Sequence, residues 1–218
     1  LDPRATAVTP PTRGECAVRA HYERAAIGYT RRRDTGLAGF IRRREQVSVS
    51  DLLEIRAGER LLDVGCGDGA IAALAAHRGA RVVAMDLVIS MSSVAMRRGV
   101  PSVTADVGAL SFGPEFDAVA WIGSSEFVAD LPAAIRQVAR TLRPGGRLVL
   151  LFPRRNWFGV LLLLYHRLVG IGIHLRPRDA VIRSLVEGGF APPEIWRRCV
   201  GAWVCRTRLV EGATGTGS

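Results

Sequence analysis

The chain has 218 residues, of which 48% are hydrophobic and 23% are charged, as is typical of a single globular domain. All 30 basic residues are arginine, which excludes P-loop nucleotide binding, Schiff-base chemistry and Tyr-x-x-x-Lys dehydrogenases, because each of these needs a lysine. Lysine-free, arginine-rich composition is typical of a GC-rich genome, so the formal net charge of +10 gives only weak support for nucleic-acid binding. The four cysteines lack a paired spacing, and neither a metal site nor a disulfide framework is predicted.

The two ends of the chain are predicted to be flexible tails, residues 1–17 and 211–218, because they are rich in Pro, Thr, Gly and Ser without periodicity. Residues 18–210 are predicted to form one domain. Its first part, residues 18–50, carries apolar and aromatic positions partly at helical spacing and predicts a helical cap. No secretory signal is recognised, and we expect a cytoplasmic protein.

From Arg60 onward, short apolar runs alternate with helical segments. Strands that are apolar throughout and separated by helices favour a parallel sheet covered on both faces, so the predicted fold class is doubly wound α/β. The predicted strands are 60–64, 81–85, a short one near Val103, 118–122 and 147–152, with a closing hairpin over 195–210, and the predicted helices are 70–77, 91–98, 131–142 and 177–188.

A glycine-rich turn, LLDVGCGDG at residues 61–69, joins the first predicted strand to the next helix. Glycines at 65, 67 and 69 permit positive φ and let a ligand approach the backbone, and the following helix presents unpaired N–H groups. The pattern also satisfies a dinucleotide fingerprint, so the glycines alone do not select a ligand. Asp63 and Asp68 would repel a pyrophosphate, and Asp63 would suit a ligand with an ammonium group.

Two further acids follow neighbouring predicted strands. Asp86 lies 23 residues after Asp63, the separation expected when one helix links two parallel strands, and its carboxylate could accept both hydroxyls of a ribose. Asp106 follows the third strand, where it could meet the amine of an adenine. Each acid taken singly could instead cap a helix or turn.

These motifs, together with LRPGGRLVL at residues 142–150, resemble the class I S-adenosylmethionine-dependent methyltransferases, particularly small bacterial enzymes that act on small molecules. The resemblance covers roughly residues 52–152, and Val88 and Ser111 depart from the residues usual in the family. It implies a Rossmann-like sheet of seven strands in the order 3-2-1-4-5-7-6, in which strand 7 is antiparallel.

The resemblance also assigns parts of the donor to individual positions. It implies that Asp63, Gly65 and Gly67 hold the methionine part, that Asp86 holds the ribose, and that Asp106 and Val107 hold the adenine. The candidate cofactor-binding residues are Asp63, Gly65, Cys66, Gly67, Asp86, Leu87, Asp106, Val107, Tyr22 and Tyr29.

Methyl transfer from a sulfonium is an in-line displacement, for which positioning and exclusion of water can suffice. A hydroxyl acceptor would gain from a base, and the candidate catalytic residues are His166, Glu126 and Tyr29. His166 could instead be a polar residue on an exposed turn, Glu126 a helix cap, and Tyr29 a core aromatic or, with Tyr22, part of a lid over the donor.

The apolar stretch Trp157–Ile173 is too short and too interrupted to span a membrane. It falls within residues 153–176, where the family places acceptor-specific elements, and it predicts a lipophilic acceptor. A helix packed on the sheet and a dimer surface are the alternatives. Peripheral membrane contact also remains open, as do a monomer and a homodimer.

Two other function classes compete with methyl transfer. A nicotinamide-dependent oxidoreductase would share the glycine turn, and a non-catalytic module that binds an adenosyl ligand would share the whole donor site. A methyltransferase that modifies nucleic-acid bases is disfavoured, because strand 4 ends in Trp-Ile-Gly-Ser and lacks the N/D-P-P-Y/F signature.

Overall fold

A computed structural model describes residues 12–212, except for the side chain of Arg32. The strands are β1 (Arg60–Val64), β2 (Arg81–Asp86), β3 (Ser102–Thr104), β4 (Phe116–Ile122), β5 (Leu142–Pro153), β6 (Ile195–Arg198) and β7 (Ala202–Arg208). The helices are α1 (Arg13–Ala25), α2 (Tyr29–Asp34), α3 (Gly36–Leu53), α4 (Ala70–His77), α5 (Ile89–Arg97), α6 (Leu131–Thr141), α7 (Trp157–Leu168) and α8 (Arg178–Glu187).

The strands form one sheet in the order β3-β2-β1-β4-β5-β7-β6. Neighbours from β3 through β5 pair in parallel, and β7 is antiparallel to both β5 and β6. The predicted fold class and strand order are therefore confirmed. Because the chain runs outward from β1 to β3 and then returns to β4 on the other side of β1, the order reverses between β1 and β4.

Helices cover both faces of this sheet, which explains why the central strands are apolar throughout. On one face, Leu62 packs in a cluster with residues of α6 and α8, among them Ile135 and Leu185. On the other face, Leu61 packs in a cluster with residues of α3 and α4, among them Leu52. Successive residues of β1 thus serve two separate layers of core.

The N-terminal cap consists of three helices, and the first begins within the predicted tail. Thr12 and Glu15 form a capping box, in which the Thr12 hydroxyl accepts from the Glu15 N–H at 3.2 Å and the Glu15 carboxylate accepts from the Thr12 N–H at 2.6 Å. This local signal outweighs the Pro- and Thr-rich composition on which the tail boundary at residue 17 was based. The rest of the predicted tails, residues 1–11 and 213–218, lies outside the described residues.

β5 begins at Leu142, five residues before the strand predicted over 147–152. Its pairing with β4 shifts from Phe116 opposite Leu142 to Ala118 opposite Arg147, so the extra residues form an irregularity in the ladder. The closing hairpin is present as β6 and β7. Within residues 12–212, no helix has both the length and the apolar character to cross a bilayer.

Candidate functional site

A cavity of about 420 Å³ lies at the carboxyl ends of β1, β2 and β4. This volume falls in the range of small-molecule sites, roughly 300–1,000 Å³. The position is the one expected in an open α/β sheet, because the loops diverge where the strand order reverses and leave a crevice. The N-terminal cap contributes residues of α1 and Tyr29 of α2 to the cavity wall.

The glycine-rich turn after β1 forms part of the cavity wall through Gly65 and Gly67. Gly65 has a φ of +64°, and a Cβ atom there would overlap Ser124, which follows β4. Gly67 has a φ of +55° and faces the ring of Tyr29. The turn therefore presents backbone to the cavity and allows β4 to approach closely.

Asp86, the last residue of β2, presents its carboxylate to the cavity and is 8% exposed. Its two oxygens accept hydrogen bonds from the N–H groups of Gly67 at 2.8 Å and Val88 at 2.9 Å. Burial raises the pKa of Asp86, and these backbone donors oppose the shift. Because a carboxylate has about four acceptor positions, capacity remains for donors from a ligand.

Asp106 and Val107 form the wall beyond β3, with Leu87 beside them. The Asp106 carboxylate accepts from the Gly108 N–H at 2.8 Å and caps the short 3-10 turn Val107–Ala109. The alternative of a turn-capping aspartate is therefore present in the structure. The same side chain nevertheless lines the cavity.

Three aromatic rings line the cavity, two from the cap helices and one from the segment after β4. Tyr22 packs edge-on against Tyr29, with ring centroids 6.1 Å apart, and against Phe127, at 5.8 Å. The Tyr29 hydroxyl accepts a hydrogen bond from Arg33 at 2.7 Å. Burial raises the pKa of Tyr22 far above its ordinary value, so this phenol stays protonated. We call Tyr22, Tyr29 and Phe127 the aromatic wall.

Asp63 and Cys66 belong to the glycine-rich segment but are not among the residues that line the cavity. Asp63 is 2% exposed and accepts from the Ala72 N–H at 3.2 Å, in the first turn of α4. Burial raises its pKa to about 7. Cys66 donates its N–H to the Met85 carbonyl at 2.9 Å, and burial raises the pKa of its thiol. The other eight candidate cofactor residues line the cavity.

Asp68 has a different role from the one that the sequence predicted. It was expected to repel a pyrophosphate, but it accepts from Arg42 at 2.5 Å, Arg98 at 3.0 Å and the Thr30 hydroxyl at 3.0 Å. Burial opposes ionisation, but these partners hold the pKa of Asp68 below its usual value. Its charge is paired within the protein, so it anchors the cap helices to the glycine turn.

Of the three candidate catalytic residues, only Tyr29 lines the cavity. His166 is 5% exposed, its Nδ1 donates to the Leu162 carbonyl at 2.9 Å, and burial lowers its pKa. Its ring lies 5.4 Å from that of Phe127. Glu126 is 6% exposed, and burial raises its pKa to about 7. Its Oε2 has no hydrogen-bond partner among residues 12–212.

Several cavity residues escaped the sequence reasoning, namely Trp121, Ser124, Phe127, Asp130 and His174. The first three lie at or just beyond the end of β4, and their position after a central strand was a usable signal. Asp130 accepts from the Ala133 N–H at 2.9 Å and caps α6. His174 reaches the cavity only through the tertiary path of the chain after α7.

The apolar stretch Trp157–Ile173 contributes little to the cavity, since Gly172 is its only member among the lining residues. The inner face of α7 packs against the cap, where Leu162 and Leu163 join a cluster with Val18. The expectation that this stretch lines an acceptor pocket is therefore not supported by the geometry.

Part of the chain is similar in sequence to known methyltransferases. Residues 62–150 match the family model described as a methyltransferase domain. The ubiquinone biosynthesis O-methyltransferase of Xanthomonas oryzae is 41% identical over 103 residues, and the demethylmenaquinone methyltransferase of a Mycobacterium strain is 40% identical over 98 residues. These matches cover 43% and 44% of this chain and 43% of the length of each relative.

Solved structures share the fold over a larger part of the chain. The magnesium protoporphyrin IX methyltransferase of Synechocystis, solved with bound S-adenosylhomocysteine, has a TM-score of 0.73 at 18% identity and covers 89% of this chain and 99% of its own. An S-adenosylmethionine-dependent methyltransferase of Mesorhizobium loti has a TM-score of 0.67 at 20% identity and covers 74% and 96%. Residues 62–150 therefore match the methyltransferase-domain family, and the chain shares the fold of the class I S-adenosylmethionine-dependent methyltransferases.

Proposed function

We propose that the chain binds S-adenosylmethionine in this cavity and catalyses transfer of its methyl group to a small, lipophilic acceptor. The observation that carries the proposal is the Asp86 carboxylate, which faces a 420 Å³ cavity while it is bonded to the glycine turn. Asp86 and Gly67, which donates one of these hydrogen bonds, both fall within the segment that matches the methyltransferase domain. The names of the relatives, which refer to ubiquinone biosynthesis and demethylmenaquinone, favour a lipophilic acceptor.

The residues of the cavity fit the parts of this donor. The Asp86 carboxylate would accept from the ribose hydroxyls, and the backbone at Gly65 and Gly67 leaves room for the methionine part. Asp106 and Val107 would contact the adenine. A role for Asp63 as a contact to the ammonium group stays a prediction, because that carboxylate is buried and does not line the cavity.

The bound sulfonium supplies the reactive methyl group. A lone pair of the acceptor forms the new bond to carbon, the carbon–sulfur bond breaks, and its electron pair stays on sulfur. The protein positions the two partners and excludes water, and the aromatic wall is suited to both tasks. A proton lost from a hydroxyl acceptor would need a base, and His166 and Glu126 remain candidates that the cavity wall does not include.

The match to a methyltransferase domain disfavours the nicotinamide oxidoreductase, although the charge of Asp68 no longer argues against a pyrophosphate. Calorimetry with S-adenosylmethionine, S-adenosylhomocysteine and NADH tests the choice directly. We expect micromolar or tighter binding of both adenosyl compounds, and Asp86→Ala to weaken it by roughly 1.5–3 kcal/mol, the value of a charge-assisted hydrogen bond.

The matched control is Asp179→Ala, since Asp179 is an exposed acid of α8 paired with Arg183 and does not line the cavity. It should leave donor affinity unchanged. Binding of NADH without either adenosyl compound would overturn the proposal. Labelled donor, incubated with pools of lipophilic, nucleic-acid and protein acceptors, then separates an enzyme from a module that only binds the donor.

A further inference from the structure

The outer face of α7 carries a continuous apolar stripe. The most exposed side chains of this stripe are Trp157, at 74%, and Leu168, at 87%. The apolar residues are spaced three and four apart, which places them all on one side of the helix. The stripe consists of Trp157, Val160, Leu161, Leu164, Tyr165 and Leu168. Helices that pack only against their own domain normally turn such a stripe inward, so this outward stripe calls for an external partner.

α7 is held to the domain by its opposite face, which leaves the stripe free to meet another surface. Leu162 and Leu163 pack in the cluster with Val18, and His166 is buried against Phe127. With 12 residues, α7 is about 18 Å long, which is well short of a membrane span. A helix of this length with one apolar face suits an interfacial position, parallel to a bilayer surface.

The charge around the stripe is positive. Residues 153–178 contain no Asp or Glu, and Arg155 and Arg167 stand near the two ends of the helix. Neither arginine, nor Arg154, has a carboxylate oxygen within 4.0 Å among the described residues. Trp157 and Tyr165 are residue types enriched at the level of lipid headgroups.

The hairpin turn between β6 and β7 extends this surface. Val200 is exposed, and its carbonyl accepts from Asn156, the residue before α7, at 3.4 Å. The Gly201 carbonyl accepts from the Arg154 N–H at 2.8 Å. The turn therefore places one more apolar side chain beside the start of the stripe, next to further arginines in β6.

We propose that the α7 stripe docks on an anionic lipid bilayer, with its apolar side chains among the acyl chains and the flanking arginines on the headgroups. Charge complementarity selects this partner over a second copy of the chain, because a second copy would bring the same arginines into contact. The proposal goes beyond methyl transfer, and vesicle binding tests it without any measurement of activity.

The test is co-sedimentation of the full chain with vesicles of phosphatidylcholine, with and without 30% phosphatidylglycerol, at about 0.1 M salt. We expect binding to the anionic vesicles at least tenfold tighter than to neutral ones. The paired variant Leu164→Ser/Leu168→Ser should lose at least tenfold in affinity, and Arg155→Gln/Arg167→Gln should also bind more weakly. The control Met96→Ser, at an exposed apolar position of α5, should bind as the wild type does.

The thermal unfolding midpoint of each variant reports whether it is folded. As a second measurement, brominated lipid should quench the fluorescence of Trp157 in the bound protein, and this quenching should be lost in Trp157→Phe. Equal binding to both vesicle types, or unchanged binding of the Leu164→Ser/Leu168→Ser variant, would overturn the proposal. So would a lipid-free dimer in sedimentation equilibrium that the same variant dissociates, since the stripe would then be a subunit interface.

Discussion

At Gly65, the backbone conformation and the shape of the candidate site depend on each other directly. The residue has a φ of +64°, and a Cβ atom would overlap Ser124. Gly65→Ala should lower the free energy of unfolding by about 2–3 kcal/mol, from strain at positive φ together with the overlap. It should also abolish donor binding, as measured by calorimetry.

Gly58→Ala is the matched control, because Gly58 has a φ of +85° but no atom within 4 Å of the Cβ position. This substitution imposes backbone strain without steric overlap. The decrease in unfolding free energy, measured by urea titration, should therefore be smaller than for Gly65→Ala, and donor affinity should be unchanged. Equal effects of the two substitutions would show that the approach of Ser124 to the turn is unimportant.

The buried carboxyl group of Glu126 should make the stability of the protein depend on pH. Its pKa is raised by burial from 4.5 to about 7, so the folded state holds this proton more tightly than the unfolded state does. Unfolding then releases a proton between about pH 4.5 and 7, and this residue's contribution to stability falls as pH rises through that window. Glu126→Gln removes the contribution.

From pH 4.5 to 7, the unfolding free energy of the wild type should therefore fall relative to that of Glu126→Gln. Above pH 7, the difference between the two proteins should stay constant. Urea titrations at five pH values measure it. A difference independent of pH would mean that Glu126 titrates normally. If Glu126 is also the base, the variant should slow turnover roughly 100-fold or more while donor affinity is unchanged.

At the scale of elements, a small ionic cluster attaches the cap to the sheet domain. Arg42 of α3 and Arg98, which follows α5, both form ion pairs with Asp68 of the glycine turn. The side chain of Asp68 is only 3% exposed. Arg42→Met should cost about 3–5 kcal/mol in unfolding free energy, because it leaves a buried carboxylate with less compensation. Arg183→Met removes an exposed pair on α8 and should cost less than about 0.5 kcal/mol.

The cluster also has a pH signature that differs from that of Glu126. Because the pKa of Asp68 is lowered in the folded state, its stabilisation is present above the unfolded pKa and is lost as pH falls through the folded pKa. Arg42→Met should therefore flatten the acid side of the stability curve. Similar losses for Arg42→Met and Arg183→Met would show that the cluster does not anchor the cap.

At the scale of the whole molecule, the cavity joins the sheet edge to the cap, so a ligand there should stabilise the entire fold. S-adenosylhomocysteine at 100 times its Kd should add about 2.7 kcal/mol to the unfolding free energy. For a chain of this size, the thermal midpoint should rise by roughly 5–10 °C. Calorimetric scans of wild type and Asp86→Ala at equal ligand concentration would test this, and an equal rise in both would exclude Asp86 as a donor contact.

The alternation of strands and helices could be predicted from the sequence, because the spacing of apolar residues within each segment indicates its secondary structure. β1 at Arg60–Val64 and α4 at Ala70–His77 have the predicted bounds, since an apolar run and a glycine turn determine them locally. The family resemblance added the strand order, which local patterns do not contain. The same local logic placed Gly65, Gly67, Asp86 and Asp106 at one edge of the sheet.

Only the tertiary structure decided which way individual side chains face. Asp63 lies next to the end of β1 and Asp86 ends β2, but Asp63 is buried away from the cavity whereas Asp86 forms part of the cavity wall. Asp68 forms ion pairs with Arg42 of α3 and with Arg98 after α5, both distant from it in sequence. The apolar side chains of α7 are divided between an inner face and an exposed stripe. The sequence by itself determined most strands and helices of the sheet domain and the edge of the sheet that lines the cavity, because these depend on short-range pattern. Burial and charge pairing depend on contacts between distant segments, which exist only in the folded chain.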